Sequence, residues 1–265
     1  MAATRSVFLT GASSGIGEAF ARHYARQGAA LGLVARRADR LADLREALLA
    51  SFGTAAAGGI ETYVADVRDA RALQAAAAAF LTRHGVPDVV IANAGVSHGT
   101  LSEHAEDTAV FEEIVDINLT GMVRTFHPFI EPMRAAGRGT LVGIASVAGV
   151  RGLPGAGAYS ASKAGAIAYL ESLRIELRGT GISVVSLLPG YIRTPMTDRN
   201  PYRMPFLLEA DDAVARMARV IAARRAFAVI PWQMAIVARL MRLLPAGVFD
   251  RLAAGSPRKP RRGYL

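Results

Sequence analysis

The chain has 265 residues and a formal charge of +9, with 52% hydrophobic and 20% charged residues. This length and balance are compatible with one large α/β domain that buries a core. Cysteine is absent, which excludes disulfide bonds and thiolate metal sites and predicts a cytoplasmic location. The N-terminus lacks the long apolar core of a signal peptide, and no stretch has the roughly 18 uncharged apolar residues of a membrane-spanning helix.

The positive charge is concentrated near the C-terminus. Residues 225–265 hold eight arginines or lysines and one acid, whereas the rest of the chain is almost balanced. A nucleic-acid-binding protein is therefore the weaker alternative, because only the basic tail supports it. Of the 31 basic residues only Lys163 and Lys259 are lysines, so the chemistry of these two positions is of particular interest.

Short apolar runs alternate with helical stretches along the chain. Predicted strands lie at 7–9, 31–34, 62–64, 89–91, 141–144, 184–188 and 227–230. Predicted helices lie at 16–27, 41–50, an alanine-rich stretch ending near 84, 111–133, 159–178 and 232–244. Strands that are apolar on both sides are typical of a parallel sheet covered on both faces. The sequence thus predicts an α/β fold, a Rossmann-like doubly wound parallel sheet of about seven strands with helices on both faces, followed by a short helical C-terminal extension.

A glycine-rich segment separates the first predicted strand from the first helix. Gly11 permits a tight turn, Gly15 lets the backbone approach a pyrophosphate, and Gly17 allows close packing of helix on strand. The following helix N-terminus offers N–H groups to phosphate. A Walker loop needs Lys followed by Ser or Thr after its last glycine, but here Glu18 follows, so that class is excluded.

Arg36 and Arg37 follow the second predicted strand, where a dinucleotide fold meets the adenosine ribose. An acid at this place would bind the 2′-hydroxyl, whereas arginine favours a 2′-phosphate. We therefore predict NADP(H) as the preferred cofactor, with NAD(H) as the alternative. Two solvated surface arginines are the other interpretation.

Tyr159 and Lys163 are four residues apart, so a helix presents both on one face. An ammonium beside a phenol stabilises phenolate and is expected to move the pKa of the tyrosine toward neutrality. Ser146 ends the fifth predicted strand and is expected at the same rim, where it could donate to a substrate oxygen. The five histidines show neither a hydrolase triad pattern nor metal-ligand spacing, so no metal site is predicted.

These motifs together resemble the short-chain dehydrogenase/reductase family over about residues 4–230. Residues 10–17 resemble the TGxxxGxG cofactor motif, and Asn93-Ala94-Gly95 resembles the NAG motif. The Asn-Ser-Tyr-Lys tetrad is matched in order by Asn118, Ser146, Tyr159 and Lys163. Pro189, Gly190 and Thr194 match the segment that touches nicotinamide.

The resemblance implies a role for each matched residue. Tyr159 would be the acid/base, Lys163 would lower its pKa and bind the nicotinamide ribose, and Ser146 would position substrate. Asn118 would hold the long helix in a bend and anchor a water leading to Lys163. The implied cofactor-binding residues are Gly11, Ser13, Ser14, Gly15, Ile16, Gly17, Arg36, Arg37, Asp66, Val67, Asn93, Gly95, Tyr159, Lys163, Pro189, Gly190, Ile192 and Thr194.

We therefore expect an oxidoreductase that transfers a hydride between NADP(H) and a moderately apolar carbonyl or secondary alcohol. The alternative is a catalytically silent cofactor-binding regulatory protein of the same fold. The predicted domains are a cofactor-binding catalytic domain over 1–230 and an apolar, basic helical extension with a tail over 231–265. Family members are often dimers or tetramers, so a homo-oligomer is expected.

Substrate-facing loops are expected at about 96–104, 147–158 and 191–209. These loops and the extension leave two further alternatives open. An apolar cationic helix at 232–244 could lie on an anionic membrane surface, but we favour a lid or oligomer contact followed by a disordered tail. Arg151 or Arg193 could meet an acidic substrate group, although a solvated loop charge is the favoured interpretation of each.

Overall fold

Seven parallel strands form one sheet in the computed structural model, which describes residues 6–53, 59–198, 200 and 202–262. The strands are β1 Ser6–Thr10, β2 Ala30–Ala35, β3 Ile60–Val64, β4 Val89–Ala92, β5 Gly139–Ile144, β6 Ile182–Pro189 and β7 Phe227–Ile230. Their order is β3-β2-β1-β4-β5-β6-β7, and every neighbouring pair is parallel. The predicted strand number and parallel arrangement are confirmed.

Helices cover the sheet on both sides. They are α1 Gly15–Ala25, α2 Ala38–Phe52, α3 Ala70–His84, α4 Asp107–Val115, α5 Gly121–Ala136, α6 Gly157–Glu176, α7 Ala210–Ala222, α8 Trp232–Leu243 and α9 Ala246–Ala253. One hydrophobic cluster joins α1, α2 and α7 to the sheet, and a second joins α3, α5 and α6 to the opposite face. Alternate strand residues feed the two clusters, since Val7 and Leu9 belong to the first and Phe8 to the second.

The order of the sheet reverses between β1 and β4. The chain builds outward from β1 through β2 to β3, then crosses to the other side of β1 and continues to β7. The loops after β1 and β4 therefore diverge, leaving a crevice at the carboxyl ends of the strands where ligands bind in such sheets.

Three helical features differ from the sequence prediction. The predicted helix over 111–133 is two helices, α4 and α5, joined by a π-helical turn at Asp116–Thr120. Helices α7 and α9 were not predicted, although α7 begins with Asp211 and Asp212, an acidic first turn that favours a helix start. Helix α8, in contrast, closely matches the predicted helix over 232–244. Pro231 directly precedes this helix, and Pro245 follows Leu244 at its end.

The expected disordered tail is wrong for residues 256–262. This segment returns to the body of the protein, where the N–H of Gly99 donates to the carbonyl of Pro260 at 2.9 Å. The first five and last three residues, which the predicted domain bounds include, lie outside the described residues. The domain division at residue 230 stays a prediction.

Candidate active site

A cavity of about 420 Å³ lies at the carboxyl edge of the sheet. It is bordered by residues that follow β1 to β6, as the reversal of strand order leads one to expect. The predicted residues that line it are Gly11, Ser13, Ser14, Gly15, Ile16, Arg36, Arg37, Asp66, Val67, Asn93, Gly95, Ser146, Tyr159, Lys163, Pro189, Gly190, Ile192 and Thr194. Of the predicted set, Gly17 and Asn118 alone do not line this cavity.

The glycine loop has a shape that leaves backbone exposed to a ligand. Gly11 has a φ of +69°, and a Cβ there would stand 2.7 Å from the Cα of Ala94. Gly17 is buried under the loop, where a Cβ would stand 2.0 Å from the carbonyl oxygen of Gly11. The first turn of α1 can therefore approach the loop closely, so its N–H groups face the cavity and fit a pyrophosphate.

Two arginines lie at the β2 end of the cavity. Nη2 of Arg37 donates to Oγ of Ser13 at 3.4 Å, and Nη1 of Arg36 is 3.7 Å from Oδ2 of Asp66. Burial would raise the pKa of Asp66, but hydrogen bonds from Arg68 lower the pKa overall. Asp66 is thus an ionised partner for Arg36 and Arg68. Arg36 and Arg37 are themselves exposed and can reach a ligand.

Tyr159, Lys163 and Ser146 meet at the far end of the cavity. Tyr159 and Lys163 are on α6, and Nζ of Lys163 lies 5.8 Å from the Tyr159 ring centroid. That ammonium donates to the carbonyl of Ile144 at 2.7 Å, which ties α6 to the end of β5. Ser146 follows β5, and its Oγ accepts from the N–H of Ala148 at 3.2 Å, so its hydroxyl proton can still be donated.

Burial raises the pKa of Tyr159, and a hydrogen bond with Ser146 lowers the pKa only in part. The pKa of Tyr159 is therefore raised overall, whereas the sequence predicts that it is lowered. Burial also lowers the pKa of Lys163 to about 8, because its ammonium has left water and no described acid forms an ion pair with it.

Asn118 fixes the loop after β4. Its Oδ1 accepts from the N–H of Val96 at 2.8 Å, while its Nδ2 donates to the carbonyl of Val96 and to Oγ of Ser162, both at 3.0 Å. Asn118 lies in the π-helical turn, so the break between α4 and α5 carries the side chain that joins this loop to α6. Asn93 similarly donates to the carbonyls of Thr10 and Gly11.

Some residues that line the cavity were not named individually as site residues, although three of them lie in the loop 191–209 that was expected to face the substrate. Pro195, Met196 and Thr197 follow Thr194, and Oγ1 of Thr197 donates to the carbonyl of Ile192 at 2.7 Å. The strand ends also contribute small or aliphatic residues beside the predicted ones. Their signal was position alone, because each lies within three residues of a predicted residue or strand end.

The C-terminal segment 256–262 lies across the loops that follow β4 and β5. Lys259 donates to Oγ of Ser97 at 2.6 Å, and its Nζ is 5.1 Å from the Tyr159 ring centroid. Arg261 makes two hydrogen bonds to the carboxylate of Asp107, at 2.8 and 3.0 Å, and a third to Glu106. Lys259 is unusual in the sequence as one of two lysines, but nothing near it in the sequence indicates that it lies at the site.

The two loop arginines have other partners. Nη1 of Arg151 donates to the carbonyls of Met241 and Leu244, and its guanidinium lies 4.3 Å from the Phe249 ring centroid. Arg193 forms an ion pair with Glu209 at 2.7 Å. Arg151 thus holds the end of α8, which is neither of the two roles considered from the sequence.

No group of three or more His, Cys, Asp or Glu side chains that could hold a metal ion occurs in the part of the chain that the structure describes. Within those residues, no helix is long and apolar enough to cross a membrane.

Comparison with known proteins places this geometry among related chains. A family model described as short chain dehydrogenase matches residues 5–203. An uncharacterized oxidoreductase of Myxococcus xanthus is 39% identical over 249 residues, which cover 94% of this chain and 96% of that protein.

Two solved structures are similar over most of the chain. A short-chain dehydrogenase/reductase from Burkholderia phymatum in complex with NAD has a TM-score of 0.81 and 25% identity, covering 98% of this chain and 99% of that one. A short-chain dehydrogenase from Sphingobium yanoikuyae in complex with NADPH has a TM-score of 0.74 and 30% identity, covering 91% and 97%.

Proposed function

Because the chain belongs to the short-chain dehydrogenase family, we propose that it is an NADP(H)-dependent oxidoreductase that interconverts a carbonyl and a secondary alcohol. One observation carries the proposal: Ser146, Tyr159 and Lys163 line the same cavity as the glycine loop. The bound cofactor supplies or accepts the hydride, and the protein holds the substrate oxygen and moves its proton.

Tyr159 exchanges the proton. In the reductive direction its phenol O–H donates to the carbonyl oxygen, and in the oxidative direction its phenolate accepts the alcohol proton. The raised pKa of Tyr159 keeps the phenol protonated, which suits the reductive direction. Ser146 donates a hydrogen bond, not its proton, to the same substrate oxygen and holds that oxygen near Tyr159.

Lys163 and Asn118 support that proton transfer. Lys163 provides a positive charge near the phenol, so phenolate that forms during turnover is stabilised. We also propose that it binds the nicotinamide ribose. Asn118 keeps the loop at Val96 in place beside α6, and a water held there would connect Lys163 to solvent.

Arg36, Arg37 and Ser13 support the preference for NADP(H). Two guanidinium groups at the β2 end place positive charge where the adenosine ribose lies in dinucleotide folds. The two similar solved structures hold NAD in one case and NADPH in the other, so they agree on a nicotinamide dinucleotide but not on its 2′ group. NAD(H) is the alternative cofactor.

The first experiment measures cofactor oxidation at 340 nm with NADPH and then NADH across a panel of ketones and aldehydes. Moderately apolar carbonyls are included first because the loops around the site are rich in Gly, Pro and aliphatic residues. Tyr159→Phe should lower kcat by about 10²–10⁴-fold while the cofactor still binds, as expected when a proton donor is lost. Tyr169→Phe, on the same helix but away from the cavity, is the matched control.

Each result of this experiment has a defined meaning. Turnover that prefers NADPH and collapses in Tyr159→Phe supports both the reaction and the roles of the arginines. Cofactor binding without turnover in either direction would favour the catalytically silent regulatory protein. If neither cofactor binds, the proposed function is wrong. Binding to DNA that weakens steeply with salt would instead support the nucleic-acid alternative.

We further propose a homo-oligomer in the cytoplasm. Phe111 on α4 and Ile175 on α6 are exposed apolar residues that a second copy would cover. The exposed apolar side of α8, with Trp232 and Leu240, is the basis of the alternative, a peripheral contact with anionic lipid. Light scattering after size exclusion, and sedimentation with anionic vesicles, test these two proposals separately.

A further inference from the structure

Both lysines of the chain lie beside Tyr159. Nζ of Lys163 is 5.8 Å from its ring centroid and Nζ of Lys259 is 5.1 Å from it, although 96 positions separate the two lysines along the chain. All other basic residues of the chain are arginines. An arginine guanidinium is wide, planar and permanently charged, whereas a lysine ammonium is a compact point charge. A compact cation therefore occurs at two positions only, both next to the proton-donating residue.

The two ammonium groups belong to different parts of the site. Lys163 lines the cofactor cavity, and Lys259 is not among the described residues that do so. Lys259 is hydrogen-bonded instead to Ser97, in the loop after β4, over about 96–104, that is expected from the sequence to face the substrate. Lys259 is thus placed on the substrate side of Tyr159.

The position of Lys259 is held by contacts of its own backbone and of the two residues that follow it. A Cβ on Gly99 would stand 2.2 Å from the carbonyl oxygen of Lys259, so the loop can approach the segment only because this residue is glycine. The N–H of Gly99 donates to the carbonyl of Pro260, and Arg261 is bound to the buried Asp107. The backbone that carries the ammonium is therefore fixed at the next two residues, Pro260 and Arg261.

The charge of Lys259 lacks a balancing acid in the described part of the chain. Its only hydrogen bond there is to the neutral hydroxyl of Ser97, and no carboxylate lies within 4.0 Å of its Nζ. The side chain is partly buried, and burial lowers its pKa to about 8. A cation that has left water without an opposite charge is unfavourable, and an anionic ligand would compensate it.

We propose that Lys259 binds an acidic group of the substrate, so that the carbonyl or alcohol compound reduced or oxidised at Tyr159 carries a carboxylate or a similar anion. This inference rests on the proposed function for the identity of the reacting centre. Arg151 and Arg193 do not provide this charge, because they are bound to the end of α8 and to Glu209. The apolar loops then surround the body of the substrate, and Lys259 fixes its acidic end.

Binding of a carboxylate that cannot react tests the site without turnover. Calorimetry measures cyclohexanecarboxylate and cyclohexanecarboxamide on the full chain, with and without NADP⁺. Lys259→Met should weaken carboxylate binding about 10- to 100-fold, the range for a hydrogen bond to a charged group, and leave carboxamide binding unchanged. Lys259→Arg should restore part of the affinity. Arg258→Met removes a charge from the adjacent residue and is the matched control, expected to leave both ligands unaffected.

Steady-state kinetics then separates a substrate contact from an effect on Tyr159. Keto acids of several chain lengths are compared with their methyl esters, and thermal unfolding verifies that each variant folds. Lys259→Met should raise KM for the acids and change neither kcat nor the kinetics of the esters. An equal loss on acids and esters would mean that the ammonium acts on Tyr159, and unchanged kinetics would mean that it acts on neither. Either result overturns the proposal.

The two proposals fail in different ways. If the wild-type protein reduces the esters but binds carboxylate no better than carboxamide, the acidic-substrate proposal is wrong and the reaction class stands. If neither NADPH nor NADH binds, the reaction class is wrong, and the carboxylate titration without cofactor still decides whether Lys259 binds an anion.

Discussion

Replacing Gly17 by alanine tests how closely α1 packs on the loop that follows β1. The residue is in the first turn of α1, and an added Cβ would stand 2.0 Å from the carbonyl oxygen of Gly11 and 2.6 Å from Nδ2 of Asn93. The nearest obstacle is backbone, which cannot rotate away as a side chain can. The helix and the loop would therefore have to separate by more than about 1 Å to reach ordinary van der Waals contact.

The expected size of the effect follows from two opposing contributions. Overpacking in a filled interior costs about 1–3 kcal/mol, and the upper end applies because both contacting groups are backbone or held by it. Alanine gains up to about 1 kcal/mol over glycine in helix propensity. The net loss is about 2 kcal/mol, which for a chain of this size lowers Tm by roughly 4–8 °C.

The assay combines thermal unfolding with titration of NADPH. Gly247→Ala is the matched control, because Gly247 is also in a first helical turn but an added Cβ there meets nothing within 4 Å. That variant should keep or slightly raise Tm and leave cofactor binding unchanged. Gly17→Ala should both unfold earlier and bind NADPH more weakly, since the N–H groups at the start of α1 are displaced. Equal Tm values for the two variants would refute the packing argument.

Three further perturbations have definite outcomes. The double variant Arg36→Met, Arg37→Met should raise KM for NADPH roughly tenfold and leave KM for NADH nearly unchanged, because charge-assisted contacts to the 2′-phosphate are lost. Arg40→Met is the control, because Arg40 does not line the cavity. Equal effects of the double variant on both cofactors would contradict the role of these arginines. The pKa values of Lys163 and Lys259 are about 8 in the folded protein against 10.5 ordinarily, so between those pH values the unfolded chain binds more protons and stability rises with pH. The Tm of the wild type should thus rise relative to the Lys163→Met, Lys259→Met double variant between pH 7.5 and 9.5, and a constant difference would count against burial of these ammonium groups. Asp107→Asn removes the carboxylate that holds Arg261, so trypsin should cut after Arg261 sooner than in the wild type, as measured by mass spectrometry. Glu106→Gln, at an exposed position, should have the smaller effect. Equal cleavage rates in the wild type and both variants would show that Asp107 does not hold the segment.

Local sequence was sufficient where a motif and its structural context lie within a few residues. The glycine loop, the strand that precedes it and the helix that follows could be predicted because Gly11 and Gly17 meet constraints of one βα turn. The pair Tyr159 and Lys163 could be predicted because helical spacing places them on one side of α6. The alternation of apolar runs with helical stretches is also a local property of the sequence, and it predicted the parallel sheet.

Only the tertiary structure decided where Lys259 and the C-terminal segment lie. The sequence marked a basic tail, which alone is typical of disorder or of a charged surface, and nothing local indicates that it returns to a loop some 160 residues earlier. The cavity also had to be assembled before Asn118 could be seen to bond Val96 and Ser162 rather than to line it. Likewise, whether burial or a neighbouring charge governs the pKa of Tyr159 depends on what surrounds the ring. Residue type and spacing determine which groups a short segment presents, whereas contacts between distant segments depend on how the whole chain packs.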